Sequence, residues 1–361
     1  MPRNSRETFD AKKAVDNIIK KSRVHFYKPI QIAEILHRNR TQRGMDLREL
    51  ETYRNISKRW RDEVTMRLVG RRSTSSQKYQ DNVFEGNAMP PRLLAVLAVI
   101  NNFGGGFVEA YIYKNLLARF SVVHDVEQYV KNATQDSFDL KEFEAMFIQN
   151  PGLKRSVDKM YEISVYALFS TLVRALKAQV TIEVLNRDKE ILHDFERFIR
   201  AVLGITPEVP KLVLPAALFR VGVTNAADRG MDMLANFGAA IQVKHLTLTT
   251  ETLEDIADNI MADRIVVVCR DAEKESIEAL LAQVGWHERI QGIVTLQDLS
   301  DWYVACLSKK YRSILGKTLL SDLVREFNAE FPSGEEIGPF MKERGYQAIK
   351  MPDDWKVETN G

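Results

Sequence analysis

Acidic, amide and amine side chains that could hold a divalent metal ion are spaced around a predicted turn. Asp232 precedes the Phe237–Gly238 turn, and Gln242 and Lys244 follow it. Successive side chains of a strand point to opposite faces, so Gln242 and Lys244 share one face while Val243 points to the other. If the turn closes a hairpin, the Asp232 carboxylate lies beside Gln242 and Lys244. The spacing therefore predicts a hard oxygen ligand, a weaker amide ligand and a cation at one place.

This set has the composition needed to hydrolyse a phosphodiester bond. The reaction needs a water or hydroxide in line with the leaving oxygen, and positive charge where the phosphorane becomes more negative. In this scheme Asp232 ligates Mg²⁺, Gln242 offers its side-chain oxygen, and the carbonyl of Val243 completes the inner shell with waters. Lys244 orients or helps to deprotonate the attacking water and offsets charge on the scissile phosphate.

Two further carboxylates are candidates for the same site. Glu162 lies on a predicted long helix, Val157–Leu176, and either ligates the metal directly or holds a metal-bound water. Asp228 replaces Asp232 if the strand begins later than the pattern indicates. The alternative for the whole pattern is a solvated sheet face, because polar residues alternate on many half-exposed hairpins.

Other metal and nucleophile chemistries have no support in the sequence. The two cysteines, Cys269 and Cys306, form no CxxC pair, and the six histidines show no HxH or HxxxH spacing. Zinc sites and disulfide frameworks are therefore not expected. The chain also lacks a G-x-S-x-G elbow and a G-x-G-x-x-G fingerprint, which removes the usual signals for acyl transfer and dinucleotide binding.

The predicted site belongs to a region of alternating strands and helices. Apolar strand-like runs at Leu218–Val223, Ile265–Cys269 and Ile290–Thr295 alternate with helical patterns at Glu273–Val284 and Gln297–Leu307. Such alternation predicts a mixed α/β sheet with right-handed crossovers, flanked by helices.

The first 80 residues predict a basic, mainly helical region. Helical patterns cover Ala14–Lys21, Ile30–Arg38 and Leu47–Val69. The region carries 20 Lys and Arg against 9 Asp and Glu, a net charge of +11, so the rest of the chain carries −9 within the total of +2. Aromatic residues interleave with these cations, which favours a polyanion whose phosphates are neutralised by Lys and Arg. A solvated basic face and an acidic protein partner are the alternatives.

Two local features of the first half bear on DNA binding. Residues 70–79 form a loop of small hydroxyl residues flanked by Arg and Lys, and this loop is the first candidate for DNA contact, with a surface linker as the alternative. The helical patterns Leu93–Ile100 and Val108–Phe120 are separated by three glycines. They could form a winged-helix-like reader, but plain helical packing is the favoured interpretation.

Length and composition indicate an ordinary globular protein with two or three domains, because 361 residues with 45% apolar content can bury a large core. The first ten residues are polar, and the longest apolar run is too short to cross a bilayer, so we expect no signal peptide, no membrane span and a cytoplasmic location. The patterns place a basic helical domain at 1–150, an α/β catalytic domain at 151–310 and a helical extension at 311–361.

Five blocks of sequence carry a resemblance to a known family. They are Lys20–His25, Tyr27–Leu36, Glu51–Asn55, Ser57–Asp62 and Arg220–Gly230. These blocks resemble the HaeII family of type II restriction endonucleases, over about residues 12–347. The resemblance implies the PD-(D/E)xK nuclease superfamily fold and Mg²⁺-dependent cleavage of both DNA strands within a short palindrome, usually by a dimer. The implied site for this family is 5′-RGCGCY-3′.

The resemblance also implies roles for particular residues. It assigns four positions of the superfamily pattern: the motif aspartate Asp232, the acidic position Gln242, the lysine Lys244 and the upstream helical acid Glu162. The chain departs from that pattern at Gly230-Met231, which replaces a proline-containing lead-in, and at Gln242, which replaces Asp or Glu. Because an amide binds Mg²⁺ less strongly than a carboxylate, we expect Glu162 or Asp228 to carry more of the metal site than usual.

A GC-rich palindrome makes further predictions about DNA contacts and partners. Arg and Lys can bond guanine O6 and N7 in the major groove, and the candidates are Arg59, Arg61, Arg71, Arg72 and Lys78. A palindrome predicts a two-fold symmetric homodimer, and a cognate DNA methyltransferase is expected in the same host to protect its genome. The rival interpretations are a non-catalytic DNA-binding regulator, in which the hairpin is structural, and a nuclease of other specificity.

Overall fold

The computed structural model describes residues 5–42, 45–73, 84, 88–206, 208–221, 231–260, 262–273, 277, 279, 282 and 289–357. Internal contacts divide these residues into two compact units. The first holds the described residues up to Met160 and those from Val324 onward. The second holds Tyr161–Val221 and the described residues from Met231 to Leu323. The last segment of the chain, from Val324 onward, packs within the first unit.

The first unit is helical, as its sequence pattern predicts. Its helices are α1 (Ser5–Lys21), α2 (Tyr27–Thr41), α3 (Ile56–Val69), α4 (Pro91–Phe103), α5 (Phe107–Asn132) and α6 (Leu140–Gln149). Pro91 opens α4, where the missing N–H of proline leaves no hydrogen bond unmade. The Asp139 carboxylate caps α6 by accepting a hydrogen bond of 2.9 Å from the Glu142 N–H.

The predicted helix Leu47–Val69 is wrong over its first part. The structure has a single 3₁₀ turn, Leu50–Thr52, and α3 begins only at Ile56. Local hydrogen bonds explain the difference: the Arg48 N–H donates to Asp46 Oδ1 at 2.9 Å, and the Tyr53 hydroxyl donates to the Leu47 carbonyl at 3.1 Å. These bonds give the backbone a turn as an alternative to helix.

A buried polar network joins the last segment of the chain to the helices of the first unit. Glu109 on α5 accepts hydrogen bonds from Arg40 Nε at 2.8 Å, Asn101 Nδ2 at 2.7 Å and the Tyr346 hydroxyl at 2.6 Å. Burial raises the pKa of Glu109. The hydrogen bonds from Arg40, His37, Asn101 and Tyr346 have the opposite and larger effect, so the pKa is lowered to about 2. The carboxylate is therefore a charged anchor inside the helical unit.

The second unit contains a mixed sheet, as predicted. It begins with α7, which starts at Val157 in the first unit and ends at Ala175. The described strands of the main sheet are β3 (Leu218–Arg220), β4 (Met233–Ala235), β5 (Ala239–Leu248), β6 (Arg264–Ala272) and β7 (Ile290–Thr295), in that spatial order. β3, β4 and β5 are antiparallel neighbours, whereas β6 runs parallel to β5 and to β7. Residues 222 and 223 of the predicted first strand, and most of the predicted helix Glu273–Val284, lie outside the described residues.

Helices cover both faces of this sheet. On one face, Ala240 of β5 and Val267 of β6 are buried in one apolar cluster with Leu253 and Ile256, which lie on the crossover helix α8 (Thr250–Asn259). In the same unit, α9 (Leu296–Leu307) packs on β6 and β7. The Tyr303 hydroxyl of α9 donates to the Ser164 carbonyl of α7 at 2.9 Å, which joins two helices of the unit.

The remaining part of the second unit is an excursion between α7 and β3. β1 (Gln179–Glu183) and β2 (Lys211–Pro215) pair antiparallel to each other, apart from the main sheet. The helical stretch between them consists of the α-helical segments Lys189–Asp194 and Glu196–Phe198 and a π-helical turn, Ile199–Leu203.

After these elements come α10 (Lys317–Glu330) and α11 (Ile337–Glu343), which lead to the end of the described chain. Among the described residues, no single helix is long and apolar enough to cross a membrane; α4 and α5 reach the required length and composition only as a pair, across a bend of 97°.

Candidate active site

The hairpin that the sequence predicts around Phe237-Gly238 is present. β4 and β5 pair antiparallel, with Met233 opposite Ile241 and Leu234 opposite Ala240. The turn depends on Gly238, whose φ of 90° lies in the region that residues with a Cβ avoid. The register ends with Met233 opposite Ile241, and Asp232 directly precedes this last pair.

Asp232 stands where the β4–β5 ladder ends. Its N–H donates to the Ile241 carbonyl at 3.2 Å, and its Oδ2 accepts a hydrogen bond of 2.7 Å from the Val243 N–H. The carboxylate thus takes the place that a backbone carbonyl of β4 would occupy. A negatively charged oxygen is thereby fixed against the backbone of β5 by a charge-assisted bond.

The carbonyl of Val243 faces the same edge as this carboxylate. The N–H and C=O groups of one strand residue point toward the same neighbouring strand. Because the Val243 N–H reaches Asp232, its carbonyl is also directed toward the Asp232 side of β5. The predicted pairing of one carboxylate with one backbone carbonyl is therefore possible in this geometry.

Gln242 supplies a buried oxygen of the kind a metal ion could use. Its side chain is 4% exposed, and its Oε1 has no hydrogen-bond partner among the residues the structure describes. A buried polar oxygen without a partner costs free energy, so the site is better satisfied when a ligand occupies it. The donor set of Asp232, the Val243 carbonyl and Gln242 consists of hard oxygens and fits Mg²⁺.

Lys244 follows Gln242 on the same face of β5. It is half-buried and stands in register with Cys269 of β6, and the β5–β6 register shifts just after it, between Lys244 and Thr247. In the described part of the chain it makes no ion pair with an acidic side chain. Its ammonium group can therefore interact with a water or a phosphate.

Glu162 is placed differently from the other predicted site residues. It is 8% exposed on α7, and its Oε2 lies 3.3 Å from Nη2 of Arg220 on β3. The register sets Arg220 opposite Met233, which stands opposite Ile241, so strand alternation puts Arg220 on the face away from Gln242 and Lys244. The structure therefore brings Glu162 to an arginine and not to the amide and lysine of β5.

The last acidic candidate, Asp228, lies outside the described residues. Within the described ranges, no group of three or more His, Cys, Asp or Glu side chains is arranged to hold a metal ion. A metal site at this hairpin would accordingly draw on the amide of Gln242, on backbone carbonyls and on water besides Asp232.

The predicted DNA-contact residues of the helical unit occupy different environments. Arg59 and Arg72 are exposed and Arg71 is half-buried, whereas Lys78 lies outside the described residues. Arg61 is 2% exposed and bonds Asp62 Oδ1 through Nε at 2.9 Å and Nη2 at 2.6 Å. Its guanidinium group is therefore engaged inside the unit.

His25 stands beside these arginines. Its ring stacks on Tyr27 with centroids 5.5 Å apart, and the Tyr27 hydroxyl donates to the Arg72 carbonyl at 3.3 Å. Burial, and then the charges of Arg71 and Arg23, lower the pKa of His25 to about 4. Burial is the larger cause, and the two arginines add positive charge beside the ring, which suits a negatively charged ligand.

Comparisons with known proteins place this chain in a family. The family model described as HaeII restriction endonuclease matches residues 11–346. The type II restriction enzyme HaeII of Haemophilus aegyptius is 48% identical over 338 residues, which cover 93% of this chain and 96% of that protein. The type II restriction enzyme NgoBI of Neisseria gonorrhoeae is 50% identical over 343 residues, which cover 94% of this chain and 97% of that protein. The chain belongs to the HaeII restriction endonuclease family. No solved structure matches it.

Membership of the HaeII family confirms the resemblance found in the sequence and decides the class of activity. The protein is a type II restriction enzyme, a site-specific deoxyribonuclease whose substrate is DNA. The rival interpretation as a non-catalytic DNA-binding regulator is therefore set aside. The matched region contains both the hairpin and the basic helices of the first unit.

Two features of this HaeII-family hairpin are missed by sequence reasoning. The first is the bond from the Val243 amide to Asp232, which involves a backbone group and leaves no trace in residue types. The second is Arg220 as the partner of Glu162, 58 residues away along the chain. The one available signal for Arg220 is a cation at the end of an apolar strand-like run, and that signal does not identify its partner.

Proposed function

We propose that this HaeII-family enzyme cleaves both strands of duplex DNA within a GC-rich palindrome, using Mg²⁺ bound at the β4–β5 hairpin of a PD-(D/E)xK-type core. The observation that carries the proposal is the Asp232 carboxylate on the Val243 amide, next in sequence to Gln242, whose side-chain oxygen is buried without a hydrogen-bond partner among the described residues. A mixed sheet with helices on both faces is the framework that the superfamily assignment requires.

In this proposal Asp232, the Val243 carbonyl and Gln242 hold the metal. Bound Mg²⁺ supplies Lewis acidity at the scissile phosphate and lowers the pKa of bound water. Asp232 is held in place for this by its 2.7 Å bond from the Val243 N–H, which fixes one carboxylate oxygen. Asp228 is the acid that could complete the shell, because Glu162 is paired with Arg220 on the other face of the sheet.

Lys244 acts on the attacking water and on the phosphate. Its position two residues after Gln242 puts it on the same face of β5, and a lysine ammonium is a compact charge with three donors. It can orient a water by hydrogen bonding and help to remove its proton. It also offsets the negative charge that develops on the phosphate oxygens.

The basic helical unit supplies the DNA contacts. We propose that the exposed Arg59 and Arg72 and the half-buried Arg71 bind backbone phosphates or guanine edges, with Lys78 as a further candidate. Arg61 donates its hydrogen bonds to Asp62 and would instead support the neighbouring arginines from inside the helical unit. The expected recognition sequence is 5′-RGCGCY-3′, and resemblance to the family is the basis for it.

A palindromic site also implies partners. Two copies of the chain, related by two-fold symmetry, would each read one half-site and cut one strand. A cognate methyltransferase in the same cytoplasm would protect the host genome, since its own copies of the site would otherwise be cut. Within each copy, the helical unit would embrace the DNA and the α/β unit would cut it.

The test is cleavage of a plasmid that carries one RGCGCY site. We expect one linear product with Mg²⁺ and none with EDTA, with the cut mapped inside that sequence. Lys244→Ala should reduce cleavage by about 10²-fold or more while leaving a gel-shift affinity for the same duplex nearly unchanged. Lys309→Ala, at an exposed position, is the control and should cut like the wild type. A fully active Lys244→Ala enzyme would remove the proposed role of this residue, and cutting at an unrelated sequence would remove the proposed specificity.

A further inference from the structure

The excursion between α7 and β3 exposes an unusual amount of apolar surface. Its large apolar side chains have exposed fractions between 38% and 77%. They are Leu176, Leu185, Ile191, Phe195, Phe198, Val202, Val209, Val213 and Leu214. Such a concentration in about forty consecutive residues differs from the isolated apolar residues that most protein surfaces show.

Four of these side chains form a helical stripe. Ile191, Phe195, Phe198 and Val202 follow each other at intervals of four, three and four residues. Hydrogen bonds from Phe195 N to Ile191 O at 3.1 Å and from Ile199 N to Phe195 O at 2.9 Å carry helical backbone through the stretch. Residues at this spacing lie on one side of a helix, and the buried Ile199 flanks that side, four residues after Phe195 and three before Val202. The helix therefore shows an apolar seam of the kind that packs against another helix.

The size of the stripe is that of an interaction surface. Its four side chains expose on the order of 400 Å², which is comparable with the largest apolar patch of a typical monomer, about 300–600 Å², and such a patch is often functional.

The charges around the stripe favour a protein over DNA. Residues 177–211 contain six Lys and Arg and six Asp and Glu, so their net charge is zero. Charges of both signs stand within the helical stretch, where Arg200 Nη2 lies 2.8 Å from Glu196 Oε1. A nucleic acid or an anionic membrane selects an excess of positive charge, which this surface lacks. A second copy of the same surface offers apolar groups to the seam and opposite charges to its rim.

We propose that the stripe Ile191–Phe195–Phe198–Val202, with the adjoining apolar residues of the excursion, is the surface through which two copies of this chain associate. In a two-fold dimer the same patch contacts itself, and a neutral, apolar seam is self-complementary in that arrangement. The inference rests on the proposed function in one respect: cutting both strands of a palindrome needs two active sites.

The first experiment measures the dissociation constant of the DNA-free, full-length chain by analytical ultracentrifugation. We expect a dimer whose dissociation constant rises about tenfold or more in Phe198→Glu, because a charge enters the apolar seam. Phe103→Glu makes the same change at an exposed phenylalanine of α4 and should leave the constant unchanged. A wild-type chain that is monomeric at all concentrations, or a Phe198→Glu variant that dimerises like the wild type, overturns the inference.

The second experiment applies even if Phe198→Glu fails to fold. Val202→Cys and Val304→Cys place a thiol at positions of nearly equal exposure, 64% and 63%, and both native cysteines are buried. A short bis-maleimide should link two Val202→Cys chains in much higher yield than two Val304→Cys chains. Equal yields, or a higher yield at position 304, overturn the inference.

The plasmid assay separates this inference from the proposed function. A wild-type chain that cuts its site but is monomeric keeps the function and loses the interface. A chain whose dimer depends on Phe198 but that never cuts DNA keeps the interface and loses the function.

Discussion

At the scale of single residues, the chemistry of the site depends on an amide where a carboxylate is expected. The Gln242 side chain is buried, and its oxygen has no hydrogen-bond partner in the described part of the chain. If Mg²⁺ binds there, Gln242→Glu adds a charged ligand and should lower the Mg²⁺ concentration needed for half-maximal cleavage by about tenfold, or roughly 1.4 kcal/mol. Without metal, the variant buries an uncompensated charge, which costs about 3–5 kcal/mol. Thermal unfolding with and without Mg²⁺, together with a metal titration of cleavage, measures both effects.

Gln31 provides a matched control for this prediction. It is buried in the helical unit, its Nε2 donates to Ser57 Oγ at 2.9 Å, and its Oε1 also has no partner among the described residues. Gln31→Glu should therefore destabilise the fold to a similar extent, but Mg²⁺ should not restore it. If Mg²⁺ stabilises Gln242→Glu and Gln31→Glu equally, or if it stabilises neither variant, the metal is not held by Gln242.

The same residues show what sequence can predict at this scale. The alternation of β5 and the glycine turn are local properties, so the common face of Gln242 and Lys244 and the hairpin that carries Asp232 follow from the sequence. The partner of Glu162 does not, because Arg220 is distant along the chain and any cation of the sheet could fill that role. The burial of Arg61 is also unforeseen, since its partner Asp62 is a neighbour whose side chain could as well have faced solvent.

At the scale of elements, the β4–β5 turn sets the register that brings the Asp232 carboxylate to the Val243 amide of β5. Gly238 has a φ of 90°, and a Cβ added there would meet no atom within 4 Å, so the cost of Gly238→Ala is purely one of backbone conformation. We expect a loss of about 1–3 kcal/mol in the free energy of unfolding. Cleavage should fall as well, because a relaxed turn shifts the carboxylate relative to β5. Chemical denaturation and kcat/KM measure the two effects.

Gly292 of β7 is the control for this change. A Cβ there also meets nothing within 4 Å, but no positive φ requires a glycine. Gly292→Ala should be close to neutral in stability and in cleavage. If Gly238→Ala were equally neutral, the turn would not be what holds the hairpin in register.

Other elements show where local patterns are insufficient. The strands β6 and β7 and the helix α9 lie where apolar runs and helical spacing predict them. The predicted helix from Leu47 begins late because side chains of Asp46 and Tyr53 bond the backbone, and an apolar pattern does not register such competition. The exposed seam at Ile191–Val202 has the spacing of a core helix, and sequence alone cannot distinguish a helix packed on its own chain from one packed on a partner.

At the scale of the whole molecule, charge is segregated along the chain. The net +11 of the first 80 residues lies in the helical unit, and the remainder of the chain carries −9. This distribution predicts the DNA-facing part from composition alone, because phosphates attract Lys and Arg without regard to fold. The return of the C-terminal segment to the helical unit is not visible in composition, since it depends on buried contacts such as that between Tyr346 and Glu109.

That buried contact makes the stability of the protein depend on pH. The pKa of Glu109 in the folded protein is about 2, below its ordinary value of 4.5, because hydrogen bonds from Arg40, His37, Asn101 and Tyr346 outweigh the effect of burial. A lowered pKa stabilises the fold fully above pH 4.5, and the contribution, about 3 kcal/mol, is lost as the pH falls toward 2. In Glu109→Gln the neutral side chain cannot titrate. We expect that variant to be less stable at pH 7 and to show a flatter dependence of unfolding free energy on pH between 4.5 and 2.

Urea denaturation at a series of pH values measures this slope. Glu63→Gln, which removes an exposed glutamate from the same unit, should keep the slope of the wild type. Tyr346→Phe removes one hydrogen bond to the Glu109 carboxylate and should lie between the wild type and Glu109→Gln, because the carboxylate retains Arg40, His37 and Asn101 as partners. An unchanged slope in Glu109→Gln would show that other carboxylates govern acid unfolding. The polar network would then hold the C-terminal segment in place without determining the pH at which the protein unfolds in acid.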